Sequence, residues 1–105
     1  MTLRSAADLS RCRERIDELD LRLLDLLNQR TEIVEEIGRI KQDLHMGIYE
    51  PKREEQVFEN VLGHNYGPLS PDAVKRIFER IIDEMRTLQK LKASRETGDG
   101  QQGSC

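Results

Sequence analysis

Arg30 is the residue whose placement asks for chemistry. It falls in the series Leu9, Cys12, Ile16, Leu19, Leu23, Leu26, Arg30, Ile33, Ile37, Ile40, Leu44, whose steps alternate three and four residues without a break. That is the spacing of one continuous helix with an apolar seam. Every other member is apolar or a thiol. A guanidinium keeps its charge and is expensive to bury without an anion, so this position needs either an internal carboxylate or an anionic guest. Lys41 lies eleven residues further on. Eleven residues turn about 1100°, which brings the side chain to within about 20° of the same face and some 16 Å along the axis. Long side chains so placed can converge on one small molecule. Gly38, in the turn before Lys41, removes a side chain near that space, although close helix packing is the simpler reason for a glycine there.

Other polar groups join this pair. Arg53 and Glu54 stand one turn before Val57 and Phe58, so both can lean towards an apolar face; taken singly, each is what a solvated first helical turn carries. Gln89 follows Ile81 and Met85 at four-residue steps. A buried amide there must find hydrogen-bond partners, while a frayed helix end accounts for the spacing equally well. Arg13 lies seventeen residues before Arg30, roughly 25 Å away along a helix. It cannot share a pocket with Arg30 and Lys41 of its own chain, but in an antiparallel dimer it can enter the partner's; the default reading of a lone arginine beside Glu14 and Asp17 is a surface residue. The set holds cations, an acid and an amide. It has no plausible Ser–His or Cys–His pair and no metal-ligand spacing, and His45 and His64 fall in connections. Such a site works by charge placement and shape, with no covalent intermediate, cofactor or metal.

The elements that carry these residues read as helices. The first runs from about Ala6 or Asp8 to about Leu44, with Asp8 and Ser10 as candidate caps and Gly47 as the expected stop. The connection 45–50 leads to Pro51, which marks the first turn of a second helix ending near Gly63, with Val57, Phe58, Val61 and Leu62 on its apolar face. The loop 64–69 holds Gly67 and Pro68. Ser70-Pro71-Asp72 is a start signal of cap, first-position proline and first-turn acid. The third helix carries Val74, Ile77, Phe78, Ile81, Ile82, Met85 and Leu88 and fades near Lys92. Residues 94–105, rich in Gly, Gln, Ser and charge, read as a disordered tail, leaving a domain over 1–93. No segment alternates as a strand does, so the class is all-α.

The chain has 105 residues and 35% charged side chains, with no Trp, so one short chain has a modest core. The 36 residues from Leu9 to Leu44 span roughly 54 Å as a helix, against a radius of gyration near 13 Å for a compact chain of this length. A helix of that reach needs a second chain over its seam, most simply a two-fold homodimer. The net charge of −3, with basic residues placed singly, gives no reason to expect nucleic acid as a partner. No secretory signal and no run of membrane-spanning length is present. Cys12 on the seam reads as a small hydrophobe and Cys105 ends the tail, so no disulfide framework is expected. These features place the protein in the cytoplasm.

Segments 13–20 (Arg-Glu-Arg-Ile-Asp-Glu-Leu-Asp), 23–30 (Leu-Leu-Asp-Leu-Leu-Asn-Gln-Arg), 37–41 (Ile-Gly-Arg-Ile-Lys), 49–54 (Tyr-Glu-Pro-Lys-Arg-Glu) and the closing Leu88-Gln89 together resemble the all-helical chorismate mutases of the AroQ class. The resemblance covers about Leu9 to Gln89. It implies a three-helix protomer intertwined as a homodimer with two active sites. It also implies that Arg30, with Arg13 of the other protomer, holds the carboxylates of chorismate. Lys41 matches the lysine on the ether oxygen and a carboxylate, and Gln89 the amide on the ether oxygen. Arg53 matches the second-helix arginine that supports the anionic site. Glu54 matches the acid on the ring hydroxyl, and Glu50 stands where the family has Asp or Glu near it. Met85 departs from the pattern, since a small hydroxyl residue that contacts a carboxylate is common there. The implied rearrangement to prephenate is a concerted internal shift and needs no cofactor. An isochorismate-pyruvate lyase would suit a similar scaffold, and Arg53 with Glu54 inclines the reading to the mutase. A non-catalytic helical dimerisation module would require Arg30, Lys41, Glu54 and Gln89 all to be coincidental. Without an appended regulatory domain, direct feedback control is not expected.

Overall fold

A computed structural model describes residues 3–102, with side chains through residue 95. The described residues form helices α1 (Ala6–Asp43), α2 (Pro51–Gly63) and α3 (Pro71–Gln102) and no strand, so the all-α expectation holds. Helix α1 begins with a reciprocal cap. The Asp8 N–H donates to Ser5 Oγ at 3.2 Å, and the Ser5 N–H donates back to Asp8 Oδ2 at 2.9 Å, the arrangement of a capping box. The backbone donor of Ser5, then its hydroxyl, hold the Asp8 carboxyl below the ordinary range. Ser10, the other candidate cap, lies within the helix.

The stop expected at Gly47 is instead built at His45. The Met46 N–H donates to the Lys41 carbonyl at 2.8 Å and the His45 N–H to that of Gln42 at 3.1 Å. This is a Schellman ending, with the C′ residue in the left-handed region. That residue is His45, at φ 56, while no described glycine has a positive φ. Sequence alone favours glycine for this conformation because glycine has no Cβ to clash; here a histidine takes it. Helix α2 starts as expected, with Pro51 in its first turn. The Glu54 N–H donates to the Glu50 carbonyl at 3.1 Å, but the Glu50 side chain makes no cap bond and is free for other work. Helix α3 starts at the Ser70 signal, where the Ala73 N–H donates to Ser70 Oγ at 3.1 Å. It continues past Lys92, where the apolar pattern fades, and is described to Gln102. Once a helix is nucleated, each added residue brings its own hydrogen bond and needs no apolar face. Cys105 lies outside the described residues.

The chain divides into a first unit ending at Ile33 and a second beginning at Val34. The first unit is helical, and its seam is bare: Leu19 is 57% exposed, Leu23 55% and Leu26 60%, and Cys12, expected to be buried, is exposed as well. The second unit packs α2 against α3. Val74 and Met85 are buried, and Val57, Phe58, Val61, Leu62, Phe78, Ile81, Ile82 and Leu88 are half-buried around them. Ile77, expected on this face, is exposed, since it stands about 60° round the helix from Val74, on the flank of the Val74–Phe78–Ile81–Met85 row. No described helix is long and apolar enough to cross a membrane. A non-glycine residue held in the left-handed region costs about 1–2 kcal/mol. His45→Gly is therefore expected to stabilise the fold by about 1 kcal/mol, read as a higher urea midpoint at fixed protein concentration.

Candidate active site

Lys41 sits in the last turn of α1 and is the one buried charged residue among those described, at 8% exposure. An ammonium taken out of water needs compensation of several kcal/mol. The compensation comes from the connection that the Schellman turn sends back over the helix end. Lys41 Nζ donates to the Ile48 carbonyl at 3.0 Å and to Glu50 Oε1 at 2.5 Å. Because an ammonium has three donors and no acceptor, one N–H remains for a guest.

Gln89 approaches from α3. Its Nε2 donates to the Val34 carbonyl at 3.1 Å, which fixes the amide's orientation and leaves its second N–H available. Lys41 and Gln89 line one cleft, open to solvent, whose walls include Gly38, Gln42, Met46 and Ile48. The Gln42 Nε2 is buried in this wall without a hydrogen-bond partner. Lys92 and Glu35, paired at 2.6 Å, line the same cleft.

Glu54 does not join this cleft. It lines a neighbouring one with Tyr49, Phe58, Ile82, Asp83 and Arg86, and Arg86 Nη2 donates to its Oε2. The Arg86 guanidinium also lies over the Tyr49 ring, 4.9 Å from its centroid. Consecutive residues Ile48 and Tyr49 line the two clefts, and Arg86 and Gln89 are one turn apart on α3, so the clefts are adjacent.

The remaining expected site residues are placed as follows. Arg53 is exposed and donates to Gln56 Oε1 at 3.4 Å, so it does not approach Lys41 or Gln89 here. Met85 is buried in the α3 core row. In the first unit Arg13 is exposed, whereas Arg30 is half-buried and is not a free cation. Arg86 went unnoticed in the sequence although a signal existed. Phe78, Ile82 and Arg86 follow at four-residue steps, a cation at the end of an apolar row, by the same logic that singled out Arg30. The Ile48 carbonyl left no sequence signal, because a backbone acceptor carries none.

Gly38 is not forced by close packing. A Cβ built there would meet Gln89 Cγ at 3.7 Å and Nε2 at 3.8 Å, both ordinary contacts. Gly38→Ala is therefore expected to stabilise α1 by about 0.5–1 kcal/mol through helix propensity, measured as a rise in the denaturation midpoint.

The chain has clear relatives. The family profile described as chorismate mutase type II matches residues 12–90. A bifunctional chorismate mutase/prephenate dehydratase of Aquifex aeolicus is 36% identical over 87 residues, which cover 79% of this chain and 24% of that protein. The chain thus spans about a quarter of the length of the bifunctional relatives it matches. Among solved structures, the chorismate mutase (Form II) of Thermus thermophilus superposes with a TM-score of 0.77 at 29% identity, over 78% of this chain and 93% of that one. The chorismate mutase of Helicobacter pylori, solved in complex with prephenate, gives 0.73 at 32% identity, over 78% and 89%. With its three helices and a lysine and a glutamine facing one cleft, the chain belongs to the chorismate mutase type II family.

Proposed function

We propose that this chain is a chorismate mutase, an isomerase that rearranges the dianion chorismate to prephenate in the cytoplasm, in the synthesis of phenylalanine and tyrosine. The observation that carries this is the cleft where Lys41 and Gln89 meet, each fixed by one or two protein acceptors and each with a donor to spare. In the rearrangement the ether C–O bond breaks as a C–C bond forms within the same molecule, and negative charge builds on the ether oxygen. The spare N–H groups of Lys41 and Gln89 donate to that oxygen. Being already oriented, they need no reorganisation as the charge develops. No nucleophile or cofactor takes part. Arg30, together with Arg13 of the partner subunit, holds the two carboxylates and so selects the folded diaxial conformer, a near-attack geometry. Arg53 adds positive potential on the anionic side. Glu54 and Glu50 serve the ring hydroxyl. Met85 offers shape where a hydroxyl would offer a hydrogen bond.

The same proposal requires a homodimer. Nine Leu and Ile side chains of the α1 seam, from Leu9 to Leu44, are 42–62% exposed in the single chain. Covering each such side chain is worth on the order of 1 kcal/mol, a sum comparable to the whole stability of a domain. A second α1 laid on this seam supplies the cover and delivers Arg13 to the neighbouring site.

The purified chain is expected to convert chorismate to prephenate. Lys41→Ala and Gln89→Ala each lower kcat by about 10²–10³-fold, the usual loss for one preorganised donor, and Arg30→Ala abolishes saturable binding. An inactive wild-type chain, salicylate formed from isochorismate in place of prephenate from chorismate, or a Lys41→Ala enzyme with near-wild-type turnover refutes the reading. For the assembly, light scattering is expected to give a dimer at micromolar concentration and Leu23→Lys to dissociate it. A folded wild-type monomer overturns that part.

A further inference from the structure

Arg86 is a cation that the proposed reaction does not use. It is nonetheless one of the best-anchored side chains in the second unit, about three-quarters buried like its partner Glu54. It reaches from α3 to α2, donates through Nη2 to Glu54 Oε2, and lies on the face of Tyr49 from the intervening connection, 4.9 Å from the ring centroid. Its second nitrogen, Nη1, stands 3.7 Å from Asp83 Oδ1. The cleft these residues line also holds Glu79. Three carboxylates, Glu54, Glu79 and Asp83, thus share one cleft, and Arg86 is the guanidinium among them. Nη2 occupies one carboxylate oxygen, Oε2, and leaves Oε1 for another donor.

We infer that Arg86 is the positioning residue for Glu54. Stacked on Tyr49, it holds the carboxylate oriented so that Oε1 accepts a hydrogen bond from a hydroxyl on the bound ring, and it thereby sets the site's preference for a hydroxylated substrate. The inference rests on the mutase reading and adds to it a residue on a third helix that touches no reacting atom.

The test separates this role from simple bracing of α2 against α3. Two bicyclic dicarboxylate transition-state mimics, one bearing the ring hydroxyl and one with hydrogen in its place, are titrated into the dimeric protein by calorimetry, and chorismate turnover is measured in parallel. In the wild-type chain the hydroxylated mimic binds more tightly by about ten- to a hundred-fold, the range for a hydrogen bond to a charged group. In Arg86→Leu that ratio collapses towards one, while the affinity for the mimic lacking the hydroxyl is kept. Arg86→Lys, which keeps a cation beside Glu54, recovers part of the ratio. Glu54→Gln loses it, and adding Arg86→Leu to Glu54→Gln takes nothing more away. An Arg86→Leu protein in which both mimics weaken equally, or in which the ratio is unchanged, overturns the inference while leaving the mutase reading in place. A wild-type chain that neither binds the mimics nor converts chorismate overturns the mutase reading itself.

Discussion

A lysine ammonium buried at the end of a helix constrains everything around it. Lys41 is 8% exposed, and a charge so placed persists only if anions or carbonyl dipoles are brought to it. Nothing on α1 itself supplies them. The compensation comes from the residues just beyond the helix, the Ile48 carbonyl at 3.0 Å and the Glu50 carboxylate at 2.5 Å, so the chain must reverse directly after Asp43. The left-handed His45 and the two Schellman hydrogen bonds provide that reversal. The start of α2 is tied to the same need. Glu50 caps α2 through its backbone carbonyl alone, which leaves its carboxylate for Lys41. One electrostatic demand thus fixes a helix end, a connection and a helix start.

Gln89 obeys a milder form of the same rule. A half-buried amide must spend its donors and acceptors on something, and Val34 offers a carbonyl at 3.1 Å. Within α1 that carbonyl would normally accept the bond of the Gly38 N–H, so it takes Gln89 on its second lone pair. Gly38 lies one turn further on and presents no side chain to Gln89. Each of the two groups assigned to the ether oxygen is therefore held by a backbone carbonyl, the least variable acceptor a protein has, and Lys41 by the Glu50 carboxylate besides. A site built in this way keeps its geometry under substitution of most neighbouring side chains, which suits a reaction that needs position and charge and little else.

Much of this was legible in the sequence, for stated reasons. Helical periodicity needs no tertiary information, so α1, α2 and the start of α3 fell close to their expected limits. The Ser70-Pro71-Asp72 signal worked because capping is local. Lys41 and Gln89 stood out as polar residues on apolar faces, and they share a cleft. What escaped depended on partners distant in sequence or on backbone atoms. His45 took the position for which Gly47 was the better candidate on intrinsic grounds. The helical continuation beyond Lys92 carries no apolar stripe, so periodicity had nothing to report. Arg53 looked like a pocket residue by its spacing from Val57, yet it points to Gln56 on its own helix. The Glu54–Arg86 pair joins residues 32 positions apart, a separation no local rule reaches.

The Arg86 omission carries the more general lesson about reading such chains. A cation embedded in an apolar helical row attracts attention when the row is long, as at Arg30, and is passed over when the row is short and ends nearby, as at Phe78–Ile82–Arg86. The physics does not distinguish the two cases. A guanidinium that is about three-quarters buried needs an anion whether the apolar row around it is long or short. Glu54 is that anion here, and Tyr49 supplies the aromatic face on which an arginine loses least by leaving water. Because Glu54 is also the acid assigned to the substrate's hydroxyl, the partner that satisfies Arg86 and the group that meets the ligand are the same carboxylate. On the proposed roles, a change at Arg86 is expected to be felt at the ring hydroxyl before it is felt at the bond that breaks.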